Sequence, residues 1–221
     1  MVLTTDIANA FNSVSRQEVY KAVAENAPEL LPFVEWLYGA ATNLHVVGAP
    51  EGVPPLLSRA GVRQGCPLSM LLFALVLQPV LRKLKTQGGT GLTVVAIADD
   101  ITLVGREGPL TAAWQALTGE RNDSAHSKGL RLQPPKCYLS GGEQARAAAL
   151  APRLRIGEEH VQHAPEGVVI AGTPAGTDAF VARTVEQRAD AVVAEVDRLM
   201  ALPLAGQVQF GLLRVSLSRS V

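Results

Sequence analysis

The chain has 221 residues, of which 48% are hydrophobic and 18% are charged. This length fits one large globular domain or two small ones, and the hydrophobic content excludes a disordered or fibrous chain. Twenty lysines and arginines balance twenty aspartates and glutamates, which excludes a protein that binds nucleic acid through bulk positive charge alone. A nucleic-acid partner would therefore need a local binding site or further segments of chain.

The two cysteines, Cys66 and Cys137, are too few for a disulfide framework and lack the paired spacing of a zinc site. They favour a reducing compartment. The most apolar run, residues 70–77, is far shorter than the roughly 20 residues that span a bilayer. The N-terminus also lacks the basic start and apolar stretch of a signal peptide. We therefore expect an intracellular protein, nuclear or cytoplasmic, with no membrane partner.

Short elements are predicted in the first third of the chain. A serine followed three residues later by a glutamate is a capping box, proline suits the first turn of a helix, and clusters of glycine and proline indicate loops. On the helix that begins at Pro28, the predicted buried side chains are Leu30, Phe33, Val34 and Leu37. The predicted elements are a strand at 1–5, a helix opening with Ser15-Arg-Gln-Glu18, a helix from Pro28 to Gly39, and a hairpin of strands 44–47 and 56–60 around a loop at 48–55.

The rest of the chain alternates helices with β-prone runs, which favours an α+β fold over a doubly wound parallel sheet. No glycine-rich phosphate loop occurs, so any phosphate chemistry would need carboxylates and a metal ion. The predicted elements are a helix at 68–85, a hairpin of strands 92–98 and 101–104 with Asp99 and Asp100 at its tip, a helix at 109–128, short strands at 137–140 and 168–171, and a helix at 178–202.

Three carboxylates stand at the ends of predicted strands: Asp6 after the first strand, and Asp99 with Asp100 in the later hairpin. Taken singly, each aspartate is typical of a cap or turn. If the strands are neighbours, the carboxylates meet at one sheet edge, where divalent cations such as Mg²⁺ relieve their repulsion. Two such ions about 4 Å apart would hold the attacking and leaving oxygens of a phosphoryl transfer.

Four segments, in order, resemble the sequence motifs A to D of reverse transcriptases. The amino-acid sequence of motif B is most similar to that of enzymes of non-LTR retrotransposons, followed by those of group II introns. Residues 168–174 resemble the turn that leads to the thumb of these enzymes. The four segments are Leu3-Thr-Thr-Asp6-Ile-Ala-Asn-Ala10-Phe11-Asn12-Ser-Val14, Gly61-Val-Arg-Gln64-Gly65-Cys-Pro-Leu-Ser69, Ile97-Ala-Asp99-Asp100 and Lys128-Gly-Leu-Arg-Leu-Gln-Pro-Pro-Lys136.

The resemblance implies the palm of a right-handed polymerase, with an antiparallel sheet, packed helices and two Mg²⁺ ions, Mn²⁺ being the alternative ion. Asp6 and Asp99 would ligate both ions, Asp100 would support them, and the backbone carbonyl of Ile7 would complete one coordination shell. Phe11 falls where the family places its steric gate. An aromatic ring under the sugar leaves no room for a 2′-hydroxyl and so selects deoxynucleotides.

The same resemblance implies a nucleotide pocket lined by Gln64 and Gly65. The amide can hydrogen-bond the nucleotide or template, and glycine lets the backbone approach closely. Lys136 matches the family lysine that can protonate the leaving pyrophosphate, and Arg63 is the other basic candidate beside the triphosphate. The implied partners are an RNA template, a DNA primer and deoxynucleoside triphosphates, while the oligomeric state is left open.

The resemblance covers about residues 1–180. It predicts a palm at 1–165, with a remnant of the fingers at about 25–60, and the palm-to-thumb turn and first thumb helix at 166–221. Asp6 lies close to the start of the chain, so the fingers are expected to be truncated. The expected function is a fragment of an RNA-directed DNA polymerase, and its activity without full fingers and thumb is left open. Two alternatives are a catalytically incompetent retroelement relic that binds nucleic acid or protein, and a metal-dependent phosphohydrolase, which leaves motif B unexplained.

Overall fold

The computed structural model describes residues 1–48, 50, 52–119 and 124–217, with the backbone alone for 215–217. Parts of the predicted loop at 48–55, helix at 109–128 and domain at 166–221 therefore lie outside the described residues. The chain divides into two compact units, Met1–Pro165 and Glu166–Val221. Helices and strands occur in both, which agrees with a mixed α and β fold, while the palm and thumb assignments stay predictions.

The first unit contains the following elements. Its strands are β1 (Val2–Thr5), β2 (Thr42–Leu44), β3 (Leu56–Ser58), β4 (Leu92–Ile97), β5 (Asp100–Gly105), β6 (Tyr138–Ser140), β7 (Arg155–Ile156), β8 (Glu159–His160) and β9 (Gln162–His163). Its helices are α1 (Ala10–Ser13), α2 (Arg16–Asn26), α3 (Leu31–Tyr38), α4 (Ser69–Gly88), α5 (Glu107–Thr118) and α6 (Gln144–Leu150).

A five-stranded sheet runs in the order β4-β5-β1-β6-β9. Its first four strands are antiparallel neighbours, whereas β6 and β9 pair in parallel. The sheet is therefore mixed, and the prediction of an antiparallel sheet is wrong for its last strand. Parallel neighbours require a crossover, which α6 and the β7–β8 hairpin supply between β6 and β9.

Side chains alternate between the two faces of this sheet. Leu3 of β1 pairs with Leu103 and Leu139 on its two neighbours, and all three are fully buried against the core. The opposite, open face carries exposed side chains, namely Val95, Ile97, Val104 and Tyr138.

Helix α4 is central to the core and packs against α2, α5 and β4. Apolar residues recur every three or four positions along it, which puts them on one face. The helix continues through Pro79, and the prediction of a helix at 68–85 is confirmed. Its buried apolar residues are Leu72, Phe73, Val76, Leu77, Val80 and Leu84.

Two local predictions near the start of the chain are wrong. Helix α2 begins at Arg16, as predicted, but the Ser15 side chain makes no capping bond. The carboxylate of Glu18 pairs with Lys21 and Lys128, each at 2.7 Å. Phe33 is 49% exposed. A 3-10 turn at Pro28–Leu30 precedes α3. The helix buries Val34, as predicted, and Tyr38 in place of Phe33.

The described part of the predicted helix at 109–128 ends at Thr118, and a separate 3-10 turn follows at His126–Lys128. Hairpins are confirmed for β2 with β3 and for β4 with β5, each within a few residues of the predicted bounds. Both pairs are joined by turn-forming sequence, so local pattern was sufficient to indicate them.

The second unit contains an antiparallel hairpin of β10 (Gly167–Ile170) and β11 (Thr173–Gly176), followed by α7 (Asp178–Met200) and α8 (Gly206–Leu217). Thr177 caps α7, since its side chain accepts a hydrogen bond from the Phe180 N–H at 3.2 Å. No residue of α7 is buried. Among the described residues of the whole chain, no helix has both the length and the apolar character needed to cross a membrane.

Candidate active site

Asp6 follows β1 directly, and Asp100 is the first residue of β5. The register of these antiparallel strands pairs Thr5 with Ile101, so one further step sets Asp6 opposite Asp100. Opposite residues on antiparallel strands share a sheet face. Alternation along β1 puts this pair on the open face, away from the core.

Asp99 lies in the two-residue turn that joins β4 to β5, where Ile97 pairs with Asp100. Its neighbour Ala98 has a φ of 55°. Few residues other than glycine adopt this left-handed conformation, and such strain tends to occur at functional sites. The hairpin thus carries two adjacent carboxylates on a tight, strained turn.

The three carboxylates interact electrostatically. Burial raises the pKa of Asp100, and the negative charges of Asp99 and Asp6 raise it further. A nearby like charge disfavours the ionised form of a carboxyl group. The carboxylates of Asp99 and Asp6 thus add to the effect of burial on Asp100 and place negative charge at this end of the sheet.

We predict that Asp100→Asn increases the free energy of unfolding at pH 7 in buffer without divalent cations. The pKa of Asp100 is raised in the folded chain, so the folded state binds this proton more tightly and stability falls as pH rises through its titration. The gain should stay below about 1 kcal/mol, since exposed charges are screened by solvent. Urea denaturation from about pH 4 to 7 should show a smaller loss of stability in the variant.

Glu158→Gln, in the exposed turn between β7 and β8, is the control for loss of a carboxylate and should leave this pH dependence unchanged. If Asp100→Asn were less stable than the original chain across the whole pH range, the ionised Asp100 carboxylate would not destabilise the folded chain and the prediction would be wrong.

Carboxylate oxygens are the donors that hard divalent cations prefer, so the residue types at this sheet end fit Mg²⁺ or Mn²⁺. Among the described residues, however, no three His, Cys, Asp or Glu side chains gather closely enough to form a preassembled metal-binding group. Mutual repulsion is a physical reason for carboxylates to stand apart. The pair of Mg²⁺ ions therefore stays a prediction.

The 3-10 turn at Pro134–Lys136 lies beside Asp6. The Gln133 N–H donates to the Asp6 carbonyl at 3.0 Å, and the Asp6 N–H donates to Cys137 Sγ at 3.4 Å. Burial raises the pKa of Cys137 to about 11, so this thiol is protonated at neutral pH. Lys136 has an exposed side chain on the same turn, close in the chain to both contacts with Asp6.

Ile7 forms an isolated antiparallel bridge with Leu132 and is itself buried. The hydrogen bonds of this bridge are made by its neighbours, including one from the Ala8 N–H to the Arg131 carbonyl at 2.8 Å. In such a non-hydrogen-bonded pair, the carbonyl of the central residue points away from the partner strand. The Ile7 carbonyl is therefore directed away from Leu132, and its role as a metal ligand stays a prediction.

The segment around Phe11 is hydrogen-bonded to the start of the loop that precedes α4. The Phe11 carbonyl accepts from the Val62 N–H at 2.7 Å, and the Gly61 N–H donates to the Val14 carbonyl at 3.0 Å. The half-buried Phe11 ring stacks on Phe73 of α4, with ring centroids 4.7 Å apart. Two segments far apart in sequence are thus joined by two backbone hydrogen bonds.

Gln64 and Gly65 follow in this loop, and both are exposed. Gly65 has a φ of 88°, and a Cβ added there would meet no atom within 4 Å. A positive φ favours glycine, and the open space leaves the backbone accessible to a bound molecule. The predicted pocket role of both residues is compatible with this exposure.

Comparison with known proteins decides the family. Residues 1–148 match the family described as Reverse transcriptase (RNA-dependent DNA polymerase), which is more than half of the chain. The chain belongs to the reverse transcriptase family. All four motifs lie inside the matched range, and the predicted resemblance to reverse transcriptases is confirmed.

Two relatives of this reverse transcriptase chain carry the names of retrotransposable elements. It is 31% identical over 150 residues to the Retrovirus-related Pol polyprotein from type-2 retrotransposable element R2DM of Drosophila melanogaster, covering 63% of this chain and 14% of that protein. It is 32% identical over 144 residues to the Retrovirus-related Pol polyprotein from type-1 retrotransposable element R2 of Nasonia vitripennis, covering 60% and 13%. The predicted similarity to non-LTR retrotransposon enzymes is confirmed, and the chain spans about one seventh of these curated relatives.

One basic residue of the reverse transcriptase chain, Arg63, makes contacts within the fold that the sequence did not indicate. The Arg63 guanidinium is 5.3 Å from the ring centroid of Tyr38, and its Nη2 donates to the Leu37 carbonyl at 2.7 Å and to Thr42 Oγ1. These partners hold the guanidinium against α3 and β2, and its place beside the triphosphate stays a prediction. Tyr38 was not predicted as a site residue, because it belongs to no motif. The apolar pattern of its helix indicates only that such a residue is buried.

Proposed function

We propose that this chain is the catalytic part of an RNA-directed DNA polymerase. On an RNA template, the 3′-hydroxyl oxygen of a primer would attack the α-phosphate of a deoxynucleoside triphosphate. The new P–O bond joins the nucleotide to the primer, the bond between the α- and β-phosphates breaks, and pyrophosphate leaves. The observation that carries this proposal is the strand register that sets Asp6 opposite Asp100, one residue from Asp99.

Residues 1–165 would be the palm, with a remnant of the fingers at about 25–60, and residues 166–221 the turn and the start of the thumb. In the palm, Asp6 and Asp99 would hold two Mg²⁺ ions, with Asp100 supporting them. Bound divalent ions would supply charge stabilisation and alignment of the reacting oxygens. The negative charge that raises the pKa of Asp100 supports cation binding at this end of the sheet.

Other residues would orient the substrates and move a proton. Gln64 and Gly65 would contact the nucleotide, and the carbonyl of Ile7 would add an oxygen donor beside Asp6. The exposed Lys136 Nζ would donate a proton to the leaving pyrophosphate oxygen. Its support is the turn that contacts the backbone of Asp6 through Gln133 and Cys137.

We predict that Phe11→Val increases incorporation of ribonucleotides relative to deoxynucleotides. The Phe11 ring is half-buried, stacks on Phe73 and lies five residues after Asp6, so it can block a 2′-hydroxyl at the sugar. Primer extension with matched ribonucleoside and deoxynucleoside triphosphates measures the ratio. Phe33→Val, on the exposed face of α3, is the control. An unchanged ratio in Phe11→Val would mean that Phe11 contributes only to packing.

The deciding experiment for the proposed function measures Mg²⁺-dependent extension of a DNA primer on an RNA template by this chain, together with Mn²⁺ binding by electron paramagnetic resonance. The proposal expects two bound ions and extension that stops when the metal is chelated. Ion or RNA binding without any extension would favour the incompetent relic instead. Release of phosphate from nucleotides in the absence of primer and template would favour a phosphohydrolase.

A further inference from the structure

Tyr38, the last residue of α3, binds the backbone of Arg63, the residue that precedes Gln64. The Tyr38 side chain is only 2% exposed. Its Oη accepts a hydrogen bond from the Arg63 N–H at 3.2 Å and lies 3.4 Å from Ser69 Oγ. Ser69 Oγ donates to the Arg63 carbonyl. Side chains from α3 and α4 thus bind both polar groups of the Arg63 backbone.

The side chain of Arg63 is also held by hydrogen bonds, in addition to its backbone. Nη2 donates to the Leu37 carbonyl of α3 and to Thr42 Oγ1 of β2, and the guanidinium lies against the Tyr38 ring. Its Nε is buried without a hydrogen-bond partner among the described residues. A guanidinium is planar and presents its donors in a rigid fork, so a lysine could not make the same set of contacts.

Arg16, the first residue of α2, contacts the same tyrosine. Its guanidinium is also 5.3 Å from the Tyr38 ring centroid. Burial lowers the pKa of Arg16, and the positive charge of Arg63 lowers it further. Two cations at one ring repel, and oxygen acceptors around both of them offset that repulsion. The acceptors of Arg16 are the carbonyls of Tyr38, Ala40, Ala60 and Gly61 and Ser58 Oγ.

The loop beyond Arg63 is built on these anchors. The Arg63 carbonyl also accepts from the Cys66 N–H at 3.1 Å, which closes a turn over the exposed residues Gln64 and Gly65. The surroundings of Gly65 are open, since a Cβ there would meet no atom within 4 Å. The position of this turn is therefore set largely by what holds Arg63.

We propose that Arg63 is a positioning residue: its anchors on α3 and β2 fix where Gln64 and Gly65 stand beside the nucleotide. The inference rests on the proposed polymerase function, because it takes the pocket to be the one that binds the deoxynucleoside triphosphate. It follows that Thr42, which lies outside all four motifs, influences nucleotide affinity through Arg63.

Hydrogen–deuterium exchange of this chain, read by mass spectrometry, tests the coupling without any need for activity. Thr42→Val keeps the shape of the side chain and removes one of the two acceptors of Arg63 Nη2. We expect amides in residues 61–69 to exchange about fivefold faster, as for the loss of one hydrogen bond. Thr42→Ser keeps the hydroxyl and should exchange like the original chain, and peptides from β1 and β5 should be unchanged in both.

Primer extension supplies the second readout. Arg63→Lys should raise KM for the deoxynucleotide about tenfold, as for loss of a hydrogen bond from a charged group, and should lower kcat less. Arg59→Lys, at an exposed position next to β3, is the matched control and should change neither constant. A change in kcat alone would overturn the positioning role.

Two exchange results would overturn the proposal. Unchanged exchange at 61–69 in Thr42→Val would mean that β2 does not hold the loop, and exchange that rises equally in β1 and β5 would mean that the bond only stabilises the fold. If the original chain extends no primer, the polymerase function fails. The exchange comparison still decides whether Thr42 and Arg63 fix the loop, so the two failures are distinguishable.

Discussion

Asp99→Asn is expected to reduce Mg²⁺-dependent primer extension by more than about 100-fold. Residues that merely orient metal ligands cost about 10–100-fold when they are replaced, and Asp99 is proposed to bind both ions directly. The amide retains the shape of the side chain and loses its negative charge. Single-turnover extension on an RNA template measures the rate, and Mn²⁺ titration measures the affinity, which should fall in parallel.

The control for Asp99→Asn is Glu158→Gln, which also removes one exposed carboxylate but lies in the turn between β7 and β8. It should retain both the extension rate and Mn²⁺ binding. Undiminished extension in Asp99→Asn would remove this carboxylate from the proposed metal site. A loss of extension with unchanged Mn²⁺ affinity would also contradict the proposed role of Asp99 as a ligand of both ions.

Gly61→Ala should lower the free energy of unfolding by about 2–6 kcal/mol. Gly61 has a φ of 71°, and a Cβ there would lie 2.3–2.4 Å from the backbone of Asn12. The unfavourable φ costs about 1–3 kcal/mol, and the overlap costs about 1–3 kcal/mol more because a backbone neighbour cannot rotate away. The Gly61 N–H also bonds to the Val14 carbonyl, so relief of the overlap would break this contact. Urea denaturation measures the loss.

Gly157→Ala is the matched control for Gly61→Ala. Gly157 also has a positive φ, of 60°, but a Cβ there would meet no atom within 4 Å. It should therefore show the conformational cost alone, about 1–2 kcal/mol. Equal losses in the two variants would mean that the close approach of Gly61 to Asn12 contributes nothing, and that the two motif segments are not held together at this point.

Much of the architecture could be predicted because its signals are local. The β4–β5 hairpin follows from two β-prone runs around a tight turn, and α4 follows from apolar residues at helical spacing, so both were confirmed. The family could be recognised because four motifs occur in the family's order and with its characteristic residues along residues 3–136. The match over residues 1–148 confirmed the family. These features depend on neighbours within a few positions in the chain.

Other features were decided by contacts between residues far apart in the sequence. Glu18 forms an ion pair with Lys128, and β9 pairs with β6 in parallel because of the intervening crossover. The Arg63 guanidinium binds Thr42 and the ring of Tyr38, neither of which belongs to its own motif. A buried guanidinium destabilises the fold unless it is hydrogen-bonded. Its partners therefore depend on which acceptors the packed elements bring near it.

The sequence by itself determined the family, the mixed α and β composition and the set of candidate site residues. The tertiary structure alone decided that Asp6 stands opposite Asp100 in register and that Tyr38 lies beneath the loop carrying Gln64. The physical reason is the range of the interactions. Turn and helix preferences act over a few residues, whereas strand register and buried polar contacts join segments whose separation in sequence carries no periodic signal.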